Sequence, residues 1–572
     1  MPEKVLIIGA VALGPKVACR LRRINPEIDI TVIDRDSLIS YGGCGIPYYV
    51  GGDVAEIEGL YSTIAHAKRD VEFFRKVKGF NVLTRVEAIA IRRADKKVVV
   101  RRLDDDTEDE ISYDKLVLAT GATPMRPPFP GADLPQVHVV SNLHHASAVK
   151  SAISRGEVEN AVVIGAGAIG IEMAEALTDL WGINTTIVEM ADQVLPQALS
   201  RDMARIVEKK LVDSGVNLLL SERVMAINGD KENGVESVET ANTKLPCDMV
   251  ILAAGVRPNS ELALEAGLAT GRNRGILVNK RMQTTDPDIY AGGDCAEFTN
   301  LVNGQDCVMP LGSLANRQGR IIATNINGGN EQFPGSVGSF CIKVFDMGVA
   351  KAGLTVAQAE AAGFDPVCAT VAQSDRAHFF PDADFMFMKL IADRKTRKIL
   401  GVEAAGPQGD AVKSRVDAVA PLLQFGVDVS FICNLEVSYS PPYASAMDVV
   451  NNAGNALDNT LDNSLKSADT FDFVEKMKQG IVTVLDVRSS IQAEPFVEKF
   501  KDKWINIPQD ELRNRYEELN GKISASEPLY IICGTGPRSY ESQVFLASKG
   551  IKNTLNVSGG YGMVLAIHDA LT

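Results

Sequence analysis

Two of the nine cysteines stand among neighbours that suit sulfur chemistry. Residues 40–48 read Ser-Tyr-Gly-Gly-Cys-Gly-Ile-Pro-Tyr, so Cys44 is ringed by small residues and Pro47 fits the first turn of a helix. A thiol at a helix N-terminus is biased toward the thiolate, the form that attacks sulfur. The plainer reading, a small buried core thiol, explains these neighbours less well. The second candidate lies in LYIICGTGPRSYESQVFLASKG (529–550), where an apolar strand runs into Cys533 and a helix follows after a short loop. Backbone N–H groups of such a loop can surround one sulfur as an anion nest. The other seven cysteines are scattered without a C-x-x-C pair, and the six histidines lack metal-ligand spacing. His144-His145 is the one adjacent histidine pair, and no metal site is expected there or elsewhere.

Positioning these thiols requires a scaffold, and the sequence supplies two strand–turn–helix–strand units. In residues 4–34, the apolar run Val5–Ile8 meets a turn carrying Gly9, Ala10 and Gly14, then a helix-period segment, then a strand ending in Asp34. Small residues let the backbone approach a pyrophosphate at the helix N-terminus, and Asp34 can accept from a ribose hydroxyl. Val11 and Leu13 stand where glycine is frequent, so a phosphate-free α/β turn remains the alternative. Residues 160–190 make the stronger unit: Gly165, Gly167 and Gly170 complete G-x-G-x-x-G, and Glu189 ends the next strand. A carboxylate there favours the free ribose hydroxyls of NADH over the 2′-phosphate of NADPH, although NADPH remains possible. LVLATGATP (116–124), with Thr120 and Gly121, and VILAAGVRPN (250–259), with Gly255, each pair a strand with a glycine turn. In TTDPDIYAGGDCAEF (284–298), Asp294 can bond the ribitol of a flavin ahead of a helix, or cap that helix. Two dinucleotide folds in one chain suggest an electron relay, with FAD resident and NADH visiting as hydride donor.

On these residues the chain resembles the two-dinucleotide-binding-domain flavoprotein disulfide reductases over roughly residues 3–452. The resemblance implies an FAD-binding domain at 1–125 and 250–325, an NAD(P)H-binding domain at 126–249, and an interface domain at 326–452 that forms a homodimer. Relatives of the glutathione-reductase type carry C-x-x-x-x-C, whereas Ile39 occupies the matching position here. Cys44 must then cycle with an outside sulfur or with oxygen. The string S-x-x-x-C-G-x-P-Y and the loop GAVALG resemble the single-cysteine coenzyme A-disulfide reductases and NADH-dependent persulfide reductases. The related oxidases and peroxidases usually place a histidine in that first loop, where this chain has Ala12 and Leu13. By the same resemblance Lys16, Arg20, Arg23 and Lys78 hold the coenzyme A phosphates, Ser40 and Gly43 line the approach, and Asn316 is a further substrate contact. Taken without it, those cations read as a solvated basic face. Within EVSYSPPYASAMDVVN (436–451), Tyr439 would reach the partner subunit's flavin and cysteine and protonate a leaving thiolate, or else pack as an interface aromatic. The chain departs from the family at AHFFPDA, where Phe379 and Phe380 replace a frequent tyrosine.

After Asn452 the asparagine-rich stretch 453–467 reads as a linker. Residues 468–572 resemble a rhodanese domain through LDVR, C-G-T-G-P-R and SGGY. That resemblance implies a persulfide on Cys533 and a fixed positive charge from Arg538. An inactive rhodanese fold used for docking is the alternative.

The fold class expected is α/β: two Rossmann-like dinucleotide-binding domains, an α+β dimer-interface domain and a C-terminal rhodanese-like α/β domain. A formal charge of −14 argues against a nucleic-acid partner. No apolar run of about 18 residues offers a membrane span, and unpaired thiols fit a reducing cytoplasm. The acidic run Asp104–Glu110 reads as a solvated hairpin turn. The function expected is FAD-dependent, NAD(P)H-driven reduction of a persulfide, polysulfide or coenzyme A disulfide through Cys44, with Cys533 handling sulfane sulfur. A flavin NADH oxidase or peroxidase cycling a sulfenic acid, and a rhodanese-based sulfur carrier or redox sensor, are the alternatives.

Overall fold

The computed structural model describes residues 2–524 and 526–568. It forms two units, residues 1–190 with 222–336, and residues 191–221 with 337–572.

The first unit is built on two parallel sheets. In one, the strands Ile289–Ala291, Lys115–Leu118, Lys4–Ile8, Asp29–Asp34 and Asn81–Thr84 lie side by side in that order. Four of the five residues of the central strand Lys4–Ile8 are buried, because helices or loops cover both faces of such a sheet. The helix Leu13–Ile24 buries Leu13, Val17, Ala18 and Leu21 on one stripe, which leaves its cations on the other. The second sheet has Asn160–Ile164 at its centre, paired in parallel with Asn184–Val188 on one side and Met249–Leu252 on the other. This last pairing corrects the expected return to the first nucleotide domain at residue 250. Met249–Leu252 is buried throughout and finds its ladder in the second sheet, and the chain crosses back at Val256–Pro258, paired with Ala122–Pro124. The acidic run lies in the turn and outer strand of an antiparallel sheet formed by Val86–Arg92, Lys97–Arg102 and Thr107–Ser112, exposed to solvent.

In the second unit, a five-stranded antiparallel sheet runs Phe340–Val344, Met347–Gly353, Ile399–Gly406, Phe385–Asp393, Pro366–Ser374. The stretch expected as a linker is largely the helix Val449–Leu461, capped by Asp448 and packed on that sheet. Its asparagines give it the composition of a linker. Val449, Val450, Ala453, Gly454 and Leu457 are buried at helical spacing, while the polar residues other than Asn451 are half-buried. Beyond it stands a parallel sheet ordered Ser467–Ala468, Thr554–Val557, Leu529–Ile532, Thr483–Asp486, Trp504–Asn506. Its interior holds an Asp486–Arg488 ion pair at 2.6 Å, with the Trp504 Nε1–H donating to the same carboxylate.

Candidate active site

The two nucleotide units repeat one geometry. In the first loop a Cβ on Gly9 would lie 2.1 Å from the Ala119 carbonyl oxygen, and one on Gly14 would lie 1.9 Å from the Gly9 oxygen. In the second, Gly165 and Gly170 are confined in the same way by Ala253 and by the Gly165 oxygen, at 2.5 and 2.0 Å. Gly167 has open space beside it, which is what close approach of a pyrophosphate needs. Asp34 accepts from the Ala10 N–H at 2.6 Å, and Glu189 accepts from the Ala166 N–H at 2.7 Å, so each acid braces its own loop. Both loops thus fit a dinucleotide, with Val11 in the first taking the place that Gly167 has in the second. Thr120 and Asn259 exchange two hydrogen bonds, 2.6 and 2.8 Å, that join the strands flanking Gly121 and Gly255.

Asp294 corrects one expectation. It sits in the single 3-10 turn Gly293–Cys295, and the strand Ala296–Thr299 follows instead of a helix. It therefore caps no helix, and the pyrophosphate-facing dipole expected after it is absent. Burial pushes its carboxyl up to about 6.

Cys44 lies in a 3-10 turn, Gly43–Gly45, that leads into the short helix Ile46–Gly51. The turn is held by the Gly42 N–H donating to the Leu60 oxygen at 2.8 Å, and the Leu60 side chain fills the space a Cβ on Gly45 would need. Ser40, at φ 52°, donates its N–H to the Ala10 oxygen at 2.7 Å, tying the cysteine segment to the first nucleotide loop. Cys44 is exposed and free. The surroundings oppose the thiolate bias expected from a helix terminus, because neighbouring protein atoms partly shield the sulfur although the residue as a whole is open to solvent. Loss of solvent around the thiol, then the Glu172 and Asp294 carboxyls, push Cys44 upward, and a two-turn helix has little dipole to oppose them.

Glu172 was missed in the sequence, although G-x-G-x-x-G-x-E placed it in plain view. It projects from the helix Ala168–Thr178, which packs on the helix after Cys44. Together they line a cavity of about 160 Å³ with Pro47, Tyr48, Asp53, Glu172, Glu175 and Asp179 among its walls. Burial and the neighbouring Glu175 push Glu172 up to about 7, so it changes charge near neutrality. Replacing Glu172 with glutamine removes the largest carboxylate influence on Cys44. The expected result is a downward shift of the pH midpoint for Cys44 alkylation by iodoacetamide, and an unchanged midpoint would refute the coupling.

Of the expected substrate cations, Lys16, Arg23 and Lys78 gather close enough to act jointly on Cys19, whose thiol burial nevertheless pushes up. Arg20 lies with Lys16 and Arg23 on the helix Leu13–Ile24 and keeps its Nε buried without a hydrogen-bond partner, whereas Lys78 ends the separate helical turn Phe74–Lys78. Arg23 donates to the Cys19 oxygen at 2.9 Å, and Lys78 lies over the Phe73 ring. Asn316 is exposed but donates into its own helix, to the Gly312 oxygen at 2.9 Å. Tyr439 belongs to the second unit, at 54% exposure. Its segment is pinned by the Ala377 N–H donating to the Pro441 oxygen, which brings it beside the Phe379–Phe380 loop.

Cys533 is fully buried at the end of Leu529–Ile532. Its Sγ accepts from the Gly536 N–H at 3.0 Å and from the Ser539 hydroxyl at 3.3 Å, so the loop does bend its donors onto sulfur. Arg538 lies in the first turn of the helix Pro537–Ser548 and is exposed, with its guanidinium over Gly534. Among the described residues no group of side chains is arranged to hold a metal, and no helix is long and apolar enough to cross a membrane.

These features recur in known proteins. The profile of the pyridine nucleotide-disulphide oxidoreductases matches residues 3–319, and that of their dimerisation domain matches 340–450. The NAD(P)H sulfur oxidoreductase (CoA-dependent) of Pyrococcus furiosus is 33% identical over 446 residues, spanning 78% of this chain and 97% of that protein. The solved NAD-dependent persulfide reductase from A. fulgidus superposes with a TM-score of 0.91 at 38% identity, covering 98% of this chain and 99% of its own. Reduced Bacillus anthracis CoADR-RHD gives 0.90 at 33%, covering 99% and 98%. Both superpositions include the C-terminal sheet around Cys533. The duplicated nucleotide loops, the cysteine turn and these matches lead to one conclusion: the chain belongs to the pyridine nucleotide-disulphide oxidoreductase family, with FAD and NAD(P)H as its cofactors.

Proposed function

We propose that this protein is a homodimeric, single-cysteine reductase of persulfides, polysulfides or coenzyme A disulfides, whose C-terminal domain is a rhodanese that handles sulfane sulfur. The observation that carries the reading is the isolation of Cys44. It is an open thiol in the first unit, and the position of a second redox cysteine is taken by Ile39, 3% exposed. A lone thiol can accept electrons only after bonding to an outside sulfur or oxygen atom. Names of relatives that act on coenzyme A and persulfide favour sulfur.

Bound FAD would supply two-electron transfer from NAD(P)H to sulfur. Gly9, Ala10, Gly14, Asp34, Thr120, Gly121 and Asp294 would hold it, and Gly165, Gly167, Gly170, Glu189 and Gly255 would serve the nicotinamide nucleotide. The protein's own groups do the rest. The Cys44 sulfur attacks the sulfane atom, and a thiol or hydrosulfide leaves. Glu172, titrating near neutrality, can hold the proton that Cys44 gives up. Tyr439 of the partner subunit would hydrogen-bond the leaving sulfur. Ser40 and Gly43 would line the approach to Cys44, and Asn316 would be a further contact.

Lys16, Arg20, Arg23 and Lys78 would bind the nucleotide phosphates of coenzyme A. Replacing Arg20 and Arg23 with alanine together is expected to raise the KM for coenzyme A persulfide by about tenfold or more, with little loss in kcat, because remote phosphate contacts bind ground and transition state alike. Glutathione persulfide, lacking those phosphates, should show no such change. The reading as a whole is tested by an anaerobic NADH assay comparing coenzyme A persulfide, coenzyme A disulfide, polysulfide and peroxide. Peroxide as the fastest acceptor would transfer the site to the oxidase and peroxidase class.

A further inference from the structure

The environment of Cys533 holds a group with no role so far. Ser539, fully buried two residues into the helix Pro537–Ser548, has one hydroxyl proton and three acceptors within reach: Cys533 Sγ at 3.3 Å, the Gly536 oxygen at 2.8 Å and Asn556 Oδ1 at 2.7 Å. A single O–H can serve only one of them at a time. Asn556, on the strand Thr554–Val557, also donates through Nδ2 to the Gly536 oxygen at 3.4 Å, so that carbonyl keeps a donor when the hydroxyl turns away. The Gly536 N–H, 3.0 Å from Sγ, is by contrast a fixed donor.

We propose that Ser539 is a catalytic residue of sulfur transfer at Cys533, a switchable donor that swings to Sγ when that atom carries negative charge and to Asn556 when it does not. The inference rests on the reading of Cys533 as a sulfane carrier. In loading, the Cys533 thiolate bonds to the outer sulfur of a donor such as thiosulfate, the donor's S–S bond breaks, and sulfite leaves with the electron pair. The charge moves from Sγ to the outer sulfur of the persulfide, where the surrounding backbone amides can meet it. In unloading, a nucleophile such as cyanide or a thiolate bonds to that outer sulfur, the Sγ–S bond breaks, and its electron pair returns to Sγ. Charge develops on Sγ only in this second step, in a dry site where a charge-assisted hydrogen bond is strong. Ser539 therefore favours release of sulfur over its capture.

The test separates the half-reactions by single-turnover kinetics with the full-length protein: loading from thiosulfate, then unloading of the isolated persulfide to cyanide, followed as thiocyanate. Ser539→Ala is expected to slow unloading by about 10- to 100-fold and to slow loading much less. A parallel Cys533→Ser variant must form no thiocyanate. Activity persisting in C533S would overturn the sulfane-carrier reading itself. If C533S is inactive while S539A unloads at the parent rate, or slows both half-reactions equally, the carrier reading stands and the switchable donor falls.

Discussion

Replacing Cys44 with serine is expected to lower NADH-driven reduction of coenzyme A persulfide by at least about a thousandfold under anaerobic conditions. The magnitude follows from removing a covalent route rather than weakening a contact. Serine keeps the size and the hydrogen-bonding capacity, yet its hydroxyl forms no bond to sulfane sulfur that two electrons could later break. Among the described residues, neither Cys19 nor Cys295 is suited to stand in. Cys19 lies on the first nucleotide helix among cations, with its thiol pushed up by burial, and Cys295 is fully buried, donating to the Leu118 and Gly292 oxygens. Stopped-flow measurement of NADH oxidation against persulfide decides the matter. A variant that turns over at the parent rate would show that electrons reach sulfur without Cys44, and the proposed function would be abandoned. Repeating the comparison in air also separates the oxidase alternative. A sulfenic acid on Cys44 would make oxygen consumption by the parent protein depend on this residue as strongly as persulfide reduction does.

What was legible in the sequence and what was not divides along physical lines. The second nucleotide loop was plain, because Gly165 and Gly170 are forced by carbonyl oxygens that leave no room for a Cβ, and such contacts recur at fixed spacing. The first loop was harder, since only Gly9 and Gly14 suffer that contact and Val11 replaces the middle glycine. Much of the helix Val449–Leu461 was lost to composition: within 453–467, Asn455, Asn459 and Asn463 read as a linker until the buried stripe beside them is counted. Asn451 even turns its amide inward, donating to the oxygens of Ile432, Cys433 and Leu435. The helix expected after Asp294 failed because the chain instead enters the strand Ala296–Thr299, whose buried Glu297 is held by Asn273 and the Gly275 N–H. Such long-range partners have no signature in a local window. Glu172 and Ser539 are a different kind of miss. Their residue types were visible, but their meaning lies in distances to a sulfur and a cavity that only the fold creates.

The second unit contains a buried charge cluster on which a large stability effect is expected. Lys389, 3% exposed, places Nζ 2.6 Å from Asp202 Oδ1, and Asp202, 2% exposed, also accepts from the Thr370 hydroxyl at 3.0 Å. Glu403 lies in the same region, holding the Ser200 hydroxyl and N–H at 2.7 and 2.8 Å, and Asp469 caps the helix Thr470–Lys478 within reach of Asp202 and Lys389. Burial pushes Glu403 and Asp469 up, and Lys389 is the cation that opposes this at both. Burial alone would lower the lysine, but Asp202 and the other acids outweigh it and raise it. Substituting methionine preserves the stem and strands the carboxyls, at a cost of about 3–5 kcal/mol in unfolding free energy. The sign of the pH dependence follows. A raised lysine stabilises the fold at every pH below its unfolded value, so the parent keeps the pair throughout the neutral range. In Lys389→Met the stranded acids are relieved by protonation, so the deficit should be largest near pH 8 and shrink toward pH 5. Chemical unfolding of both proteins at the two pH values measures it. Asp202→Asn added to Lys389→Met should recover much of the loss, because it removes the charge nearest the missing ammonium. Equal deficits at the two pH values, or no recovery in the double variant, would mean that the lost stability comes from packing and not from uncompensated charge.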